Sequence, residues 1–439
     1  MLKIHTSGGV RRGSTQKCFY LCFVKNFWGG PSDRTRGDFD IIRVMESNFF
    51  KNNRERLGEQ LQGAPAIFTA YTEMQRCSDE SWRFEQEANF WYLCGIEEAN
   101  WQLMIDGDQS ILIAPDVSMV SQIFNEHISM EMAQAISGVD KIISHDEGVK
   151  HLADLAEKHS QIYTVLPKNQ IDHEFCLNPA QAVLTSKLRK LFKKVQDARP
   201  MLHKMRAIKQ KPEIMMMRRA INLTRAAFET VKNELPNYAF EYQAQARFSF
   251  EFERAGAVHA YDPVIAGGAN AITMHYVSNR AGLKQGELVL MDVGARYGGY
   301  SADITRTYAF GEPTKRQRAV HLAVKQAKDR IIDLIKPGAS VREYLESSDE
   351  IMGEALKSLD LYHNEDDFRR YFPHAISHGL GIEAHDPLGQ PEVFLSGMVL
   401  AVEPGIYIPE ENIGVRLEDN VLVTESGYDN LASHLSSEL

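Results

Sequence analysis

The sequence predicts an α+β catalytic domain preceded by a smaller α/β domain. At 439 residues the chain is too long for one ordinary core, so two domains are expected. Its 44% hydrophobic and 25% charged residues are typical of a globular protein. In the second half, glycine-separated strands are flanked by long helices and do not alternate strictly with them, which favours a mostly antiparallel sheet.

Composition excludes several classes of partner. The net charge of −10 argues against nucleic acid, because phosphate binding needs a basic surface. No apolar run approaches the roughly 20 residues of a membrane-spanning helix. The five cysteines are odd in number and scattered, which predicts reduced thiols and a cytoplasmic location. They are Cys18, Cys22, Cys77, Cys94 and Cys176.

Residues 1–44 differ in charge from the remainder. Eight basic residues against three acidic ones leave this segment at +5, so the remainder carries about −15. The segment lacks the cleavage site of a secretory signal. Two interpretations stay open: an organelle presequence, with an organellar location, or sequence upstream of a true start at Met45. In either case we expect the segment to be disordered.

The first domain is predicted to span residues 45–199. Apolar runs and turn residues predict strands, helices and a hairpin around Gly107. The strands are expected at 64–71, 90–96 and 161–167, the hairpin at 101–115, and the helices at 129–136 and 149–159. A basic helical bridge at 184–214 follows, with the domain boundary near Pro200.

The second domain is predicted to span residues 200–439. Pro212, a favourable first-turn residue, begins a helix that reaches about Leu235. Further helices are expected at 241–256 and 314–335, and strands at 286–295, 298–311, 397–408 and 413–427.

The stretch HAISHGLGIEAHDP, residues 374–387, contains three histidines and an aspartate. His374 and His378 are four residues apart, like the helical zinc pair, but Ala375 stands where that motif has glutamate. Two glycines soon afterwards disfavour a continuing helix. Taken alone, the stretch is compatible with metal ligands, a catalytic relay or a polar turn.

Four carboxylates lie within the apolar strands: Asp292, Asp303, Glu403 and Glu418. A buried ionised carboxylate is costly unless it is paired or bound to a metal. Any one of them could be a strand-end cap or a salt bridge, but four together favour a cluster of cations. Carboxylates with an imidazole suit manganese, cobalt, iron or zinc. Two ions would nearly balance four charges, and such pairs activate water for hydrolysis.

Asp292, Asp303, His378, Glu403 and Glu418 occur in the order and spacing that resemble the five metal ligands of the pita-bread metallopeptidases, family M24. This family includes methionine aminopeptidase, prolidase and aminopeptidase P. The first domain resembles that of aminopeptidase P, most clearly in FEQEANFWYLCGIEEANW, residues 84–101. The resemblance implies a pita-bread catalytic domain that hydrolyses the N-terminal Xaa-Pro bond of peptides. It also implies two divalent ions, with manganese favoured, and a homo-oligomer, either a dimer or a tetramer.

The resemblance assigns roles to the ligands and to the residues around them. Asp292 and Asp303 hold one ion, His378 and Glu403 complete the second, and Asp303 and Glu418 bridge them. Glu403 also takes the proton of the attacking water. The resemblance further implies that His385 contacts the substrate near the metals and that His374 lines the same pocket. His275 would stabilise the tetrahedral intermediate, and Arg416 would lie at the prolyl end of the substrate. Alternatively, Arg416 is an ion-pair partner of Glu418.

Two other functions compete with this interpretation. A prolidase would use the same chemistry on Xaa-Pro dipeptides only. Some pita-bread domains are non-catalytic binding modules, but these typically lose metal ligands, whereas this sequence keeps all five. The family pattern changes at Ala375 and Ala384, neither of which is a ligand, so these changes affect the shape of the pocket and not the chemistry.

Overall fold

The computed structural model describes residues 45–167 and 176–439. The expectation of disorder for residues 1–44 therefore lies outside the described residues. Within the described part, residues 45–439 belong to a single compact unit. None of the described helices is both long and apolar enough to span a membrane.

The first domain is a six-stranded mixed sheet with helices around it. The strands are β1 Ala66–Thr69, β2 Gln75–Cys77, β3 Glu80–Ser81, β4 Gln102–Asp106, β5 Gln109–Ile113, β6 Lys141–Ile143, β7 Gln161–Thr164 and β8 Lys194–Asp197. The order of the strands in the sheet is β6-β5-β4-β1-β7-β8, where β1 runs antiparallel to β4 and parallel to β7. The helices are α1 Ser47–Leu61, α2 Ala88–Cys94, α3 Met119–Phe124, α4 Met130–Ser137, α5 His145–Lys158 and α6 Ala180–Leu191. Strands β2 and β3 form a separate exposed hairpin.

The predicted strand at 90–96 is wrong, because this segment is helix α2. Glu87 caps the helix by accepting a hydrogen bond from the Phe90 amide at 2.6 Å. Gly95, with φ +70°, ends it by donating from its amide to Trp91 O. Every residue of α2 is buried, so the apolar run has no exposed face from which periodicity could distinguish helix from strand.

The basic bridge at 184–214 is also not continuously helical. Strand β8 interrupts it and pairs in parallel with β7, as the edge strand of the first sheet. Its residues are only partly buried or exposed, because an edge strand of a sheet can face solvent. The predicted boundary near Pro200 falls just after β8 and stays a prediction.

The second domain is built on antiparallel sheets flanked by long helices, as predicted. Every described pairing among its strands is antiparallel. The helices are α7 Arg199–Ala207, α8 Lys211–Glu234, α9 Glu241–Glu253, α10 Lys315–Ile332, α11 Val341–Ser358 and α12 Glu365–Tyr371. The strands are β9 Val258–His259, β10 Val264–Gly267, β11 Glu287–Val293, β12 Ala295–Tyr297, β13 Tyr300–Ser301, β14 Ile304–Phe310, β15 Ser377–Gly379, β16 Val399–Val402, β17 Gly405–Ile408, β18 Ile413–Arg416, β19 Asp419–Val423 and β20 Tyr428–Asn430.

One hydrophobic cluster continues from the first domain into the second. Trp91 of α2 packs edge-on against Tyr300, with ring centroids 5.7 Å apart. Gly299 lies under the same indole: a Cβ at this position would come 2.3 Å from Trp91, and its φ is +82°. Only glycine adopts that backbone without strain and leaves room for the ring. Helix α2 is therefore packed directly on the turn between β12 and β13.

Candidate metal centre

Two paired strands supply the first carboxylates. Asp292 lies in β11, opposite Thr305 of β14, and Asp303 directly precedes β14. Their side chains meet at Tyr261, whose Oη lies 2.6 Å from Asp292 Oδ1 and 2.5 Å from Asp303 Oδ1. A hydroxyl has one proton, so Tyr261 holds the two carboxylates together by sharing it between them.

A second group of strands supplies the other donors. His378 lies in β15, opposite Ala401 of β16, and Glu403 directly follows β16. Glu418 precedes β19, and its amide donates to Thr305 O at 3.0 Å. The Thr305 hydroxyl in turn donates to Glu418 Oε2 at 2.7 Å. This exchange joins the second group of strands to β14, and so to the first two carboxylates.

The five predicted ligands lie together. The Nε2 atom of His378 is 3.6 Å from Glu403 Oε1, 3.7 Å from Asp303 Oδ2 and 3.9 Å from Glu418 Oε1. Asp292, Asp303 and Glu418 offer oxygen atoms within 4.8 Å of one another. The binding of metal by these residues stays a prediction.

The sequence placed all four carboxylates inside strands, and for three of them this is wrong. Only Asp292 lies within a strand, whereas Asp303, Glu403 and Glu418 lie at strand ends. The proline after Glu403 explains one case, because Pro404 lacks an amide hydrogen and ends the pairing of β16. At strand ends these side chains can converge from different strands on one point.

The electrostatics of the group fit divalent cations. Burial raises the pKa of Asp303 well above its ordinary value, and the neighbouring Asp292 adds to this. Burial and the charge of Asp303 raise the pKa of Glu418 in the same way, and burial raises that of Glu403 to about 7. Carboxylates crowded in this manner repel one another. Hard divalent cations relieve this repulsion, and oxygen donors with one imidazole are ligands that suit them.

His378 has the protonation state that a ligand needs. Burial lowers the pKa of its imidazole to about 4, so the ring is neutral near pH 7. Its Nδ1 lies 3.0 Å from Gly379 O. A carbonyl oxygen only accepts, so Nδ1 carries the proton and the Nε2 lone pair faces the carboxylates.

The structure places the three other predicted histidines around this group. The His385 ring lies 4.2 Å from that of His378, centroid to centroid. Burial lowers the pKa of His385, and the charge of nearby His275 acts in the same direction. His275 is exposed. His374 contacts Tyr407, with its Nε2 atom 2.9 Å from the Tyr407 hydroxyl.

Arg416 is 4% exposed and pairs with Asp292 instead of Glu418, the partner considered from the sequence. Its Nη2 atom lies 2.5 Å from Asp292 Oδ2, and its Nη1 donates to Tyr407 Oη at 2.9 Å. Its Nε donates to the Thr305 hydroxyl at 3.1 Å. Three nitrogens of the guanidinium are thus occupied by the protein itself.

Sequence reasoning missed Tyr261 and Tyr407. Both hydroxyls contact predicted site residues, Tyr261 at the carboxylates and Tyr407 between His374 and Arg416. Tyrosine is common in strands and at the edges of cores. Neither residue therefore stands out from its neighbours, and only the tertiary fold identifies it.

A buried ionic network supports the segment that carries His385. Arg206 Nη2 lies 2.5 Å from Asp386 Oδ1, and Lys209 Nζ lies 3.2 Å from Asp386 Oδ2. The amide of Asp386 donates to Gly379 O, next to His378. Arg206 also donates to Asn89 of α2 at 2.8 Å. The network extends from the first domain to the residue beside His385.

Comparisons with known proteins show which family the chain resembles and which fold it shares. A model of metallopeptidase family M24 matches residues 215–425, and a model of the aminopeptidase P N-terminal domain matches residues 50–163. Xaa-Pro aminopeptidase of Escherichia coli is 30% identical over 422 residues, covering 88% of this chain and 94% of that protein. Xaa-Pro aminopeptidase 3 of Homo sapiens is 32% identical over 381 residues, covering 79% and 74%. The solved structure of aminopeptidase P from E. coli with the inhibitor Pro-Leu superimposes with a TM-score of 0.78 at 28% identity, covering 90% of this chain and 96% of that one.

Proposed function

The chain belongs to metallopeptidase family M24 and is a metal-dependent aminopeptidase, and on this premise we propose that it removes the N-terminal residue that precedes proline in peptides. The convergence of four carboxylates and a neutral imidazole on one point is the observation that supports this most. A non-catalytic binding module has no use for such a costly buried group.

Five residues would hold two divalent ions: Asp292, Asp303, His378, Glu403 and Glu418. When bound, such ions polarise the scissile carbonyl and make water a nucleophile near neutral pH. We propose manganese as the ion, although the donor set also suits cobalt, iron and zinc.

The remaining steps belong to the side chains of the protein. His275 and His385 donate hydrogen bonds to the oxygen of the scissile carbonyl as negative charge develops on it. Glu403 accepts the proton of the attacking water at a carboxylate oxygen. His374 and Arg416 form the wall at the prolyl end of the substrate. Because three nitrogens of Arg416 already contact protein groups, its position favours wall formation over capture of a free carboxylate.

This last point separates an aminopeptidase from a prolidase. A dipeptidase must grip the carboxylate directly after proline, whereas an aminopeptidase must let the chain continue. We expect kcat/KM with manganese to be higher for Ala-Pro-Ala than for Ala-Pro, and chelation to abolish both activities. A kcat/KM that favours the dipeptide about tenfold, equivalent to about 1.4 kcal/mol, would identify a prolidase. Metal binding without hydrolysis of either peptide would indicate a binding module.

We also propose the homo-oligomer, a dimer or tetramer, that the family resemblance implies. The short helix α3 presents Met119, Ile123 and Phe124 to solvent, each at least 75% exposed. Several large apolar side chains exposed on one short helix are consistent with a face that another subunit covers. A cytoplasmic location, or an organellar one if residues 1–44 are a presequence, stays a prediction.

A further inference from the structure

The segment that carries His275 is fastened at both ends by one buried carboxylate. Glu241, the first residue of α9, is 0% exposed. Its Oε1 accepts from the Gly267 amide and from Asn270 Nδ2, both at 2.9 Å. Its Oε2 accepts from the Tyr276 hydroxyl at 2.9 Å and from the Ala281 amide at 2.8 Å. Two of these four donors, on Gly267 and Asn270, precede His275 in the chain. The other two, on Tyr276 and Ala281, follow it.

Other contacts hold the same segment while leaving His275 free. Met274 and Tyr276 pack against a small apolar cluster that includes Tyr407. Asn279 accepts from the Ile265 amide at 2.9 Å and donates to Pro263 O at 2.8 Å. Between the two packed residues, His275 is exposed. Its position therefore depends on how firmly the backbone on either side is held.

The contacts of Glu241 require a carboxylate and not merely a polar side chain. A buried carboxylate is costly unless hydrogen bonds replace its hydration, and this one receives four. Its oxygens face only donors, which is the pattern that an ionised carboxylate satisfies. A glutamine of the same shape would turn an amide NH₂ towards two of these donors, so the two hydrogen bonds on that side would be lost.

We propose that Glu241 is a positioning residue for catalysis: by fastening the segment Gly267–Ala281, it holds His275 where the imidazole meets the oxygen of the scissile carbonyl. This inference rests on the proposed function, because it assumes the role of His275 in hydrolysis. The described hydrogen bonds of the Glu241 side chain go to this segment and not to the five predicted metal ligands. Its loss should therefore leave the metal content unchanged.

The test is a double-mutant cycle of Glu241→Gln with His275→Ala, measured on Ala-Pro-Ala with manganese. If Glu241 acts through His275, Glu241→Gln lowers kcat by about tenfold or more at unchanged metal content. His275→Ala lowers it by roughly a hundredfold or more, as for loss of one oxyanion donor. The double variant should then be no slower than His275→Ala alone, within about twofold.

Glu213→Gln is the matched control. Glu213 is 1% exposed and is bonded to the Gln210 amide and the Tyr300 hydroxyl, outside the segment. Any effect of this substitution should multiply with that of His275→Ala. If Glu241→Gln fails to fold, Tyr276→Phe, which removes one of the four donors, should show the same coupling on a smaller scale.

Each result has one meaning. The positioning role is overturned if the effects of Glu241→Gln and His275→Ala on kcat multiply, or if Glu241→Gln loses metal. Either result applies when the unmutated enzyme still hydrolyses the peptide. Absence of hydrolysis in the unmutated enzyme with manganese overturns the proposed function instead. The inference is supported if the effects of Glu241→Gln and Tyr276→Phe on kcat do not multiply with that of His275→Ala, whereas the effect of the control Glu213→Gln does.

Discussion

Asp386→Asn should destabilise the protein more than the loss of any surface ion pair. Asp386 is 4% exposed and lies between two cations that are equally buried, Arg206 at 1% and Lys209 at 4%. Asparagine keeps the shape but removes the charge that both cations face. Among the described residues, Glu383, whose side chain is half-exposed, is then the carboxylate that still contacts Arg206. Removing one partner of a buried ion pair costs about 3–5 kcal/mol, because the other is left uncompensated.

The measurement is urea unfolding of the metal-saturated protein, followed by tryptophan fluorescence, with free metal held constant because a bound ligand adds to stability. Glu411→Gln is the control. Its bidentate pair with Arg316 is about one-third exposed on both sides, and such surface pairs contribute about 1 kcal/mol or less. If Asp386→Asn costs no more than this control, the buried network does not support the fold. We also expect kcat to fall, since Asp386 adjoins His385.

Two further predictions concern metal content and pH. The unmutated protein should bind two ions per chain, and Asp303→Asn should lose at least one because Asp303 is predicted to serve both; full metal content and near-normal kcat in this variant would refute the dinuclear site. Burial lowers the pKa of His321 from 6.5 to about 4. Between these pH values His321 binds a proton in the unfolded chain but not in the folded chain, so the free energy of unfolding decreases as pH falls below about 6.5. From about pH 7.5 to about pH 5.5 this costs up to about 1.4 kcal/mol, and His321→Gln should remove that part of the acid sensitivity; an identical pH dependence in the variant would contradict this. The charged groups near His321 are Glu438, Lys325, Lys232 and Arg306.

The sequence could predict that these five residues lie close together, because charged side chains stand out in apolar segments; metal binding by them stays a prediction. A carboxylate in an apolar segment is costly to bury unless its charge is compensated, and four such carboxylates indicate that one group of cations compensates all of them. Asp292 and Glu418 are visible for this reason. Tyr261 cannot be recognised in the sequence, because a tyrosine between strands is an ordinary residue there. Its hydroxyl nevertheless contacts two of the carboxylates. An unusual residue type in an apolar segment therefore identifies candidate ligands, but it does not identify the neutral groups that orient them.

The errors in the fold have local causes. The apolar run of helix α2 predicts a strand because its residues are buried on all sides, although Gly95 directly after the run is a helix stop signal. The sequence does not indicate strand β8, because its four partly polar residues lie at a sheet edge and show no alternation of apolar and polar side chains. In both cases the deciding interaction lies outside the segment itself, in the surrounding core or in the neighbouring strand.

Helix α2 matters beyond its own assignment, because it connects the first domain to the site. Asn89 on this helix accepts from Arg206, which holds Asp386 beside His385, and Trp91 on the same helix covers Gly299 at the β12–β13 turn. Without α2, the Arg206 guanidinium would lose an acceptor and Tyr300 would lose its aromatic cover. The two domains inferred from the sequence are therefore not independent. The segment that carries His385 takes part of its support from the first domain, although the five predicted ligands all belong to the second.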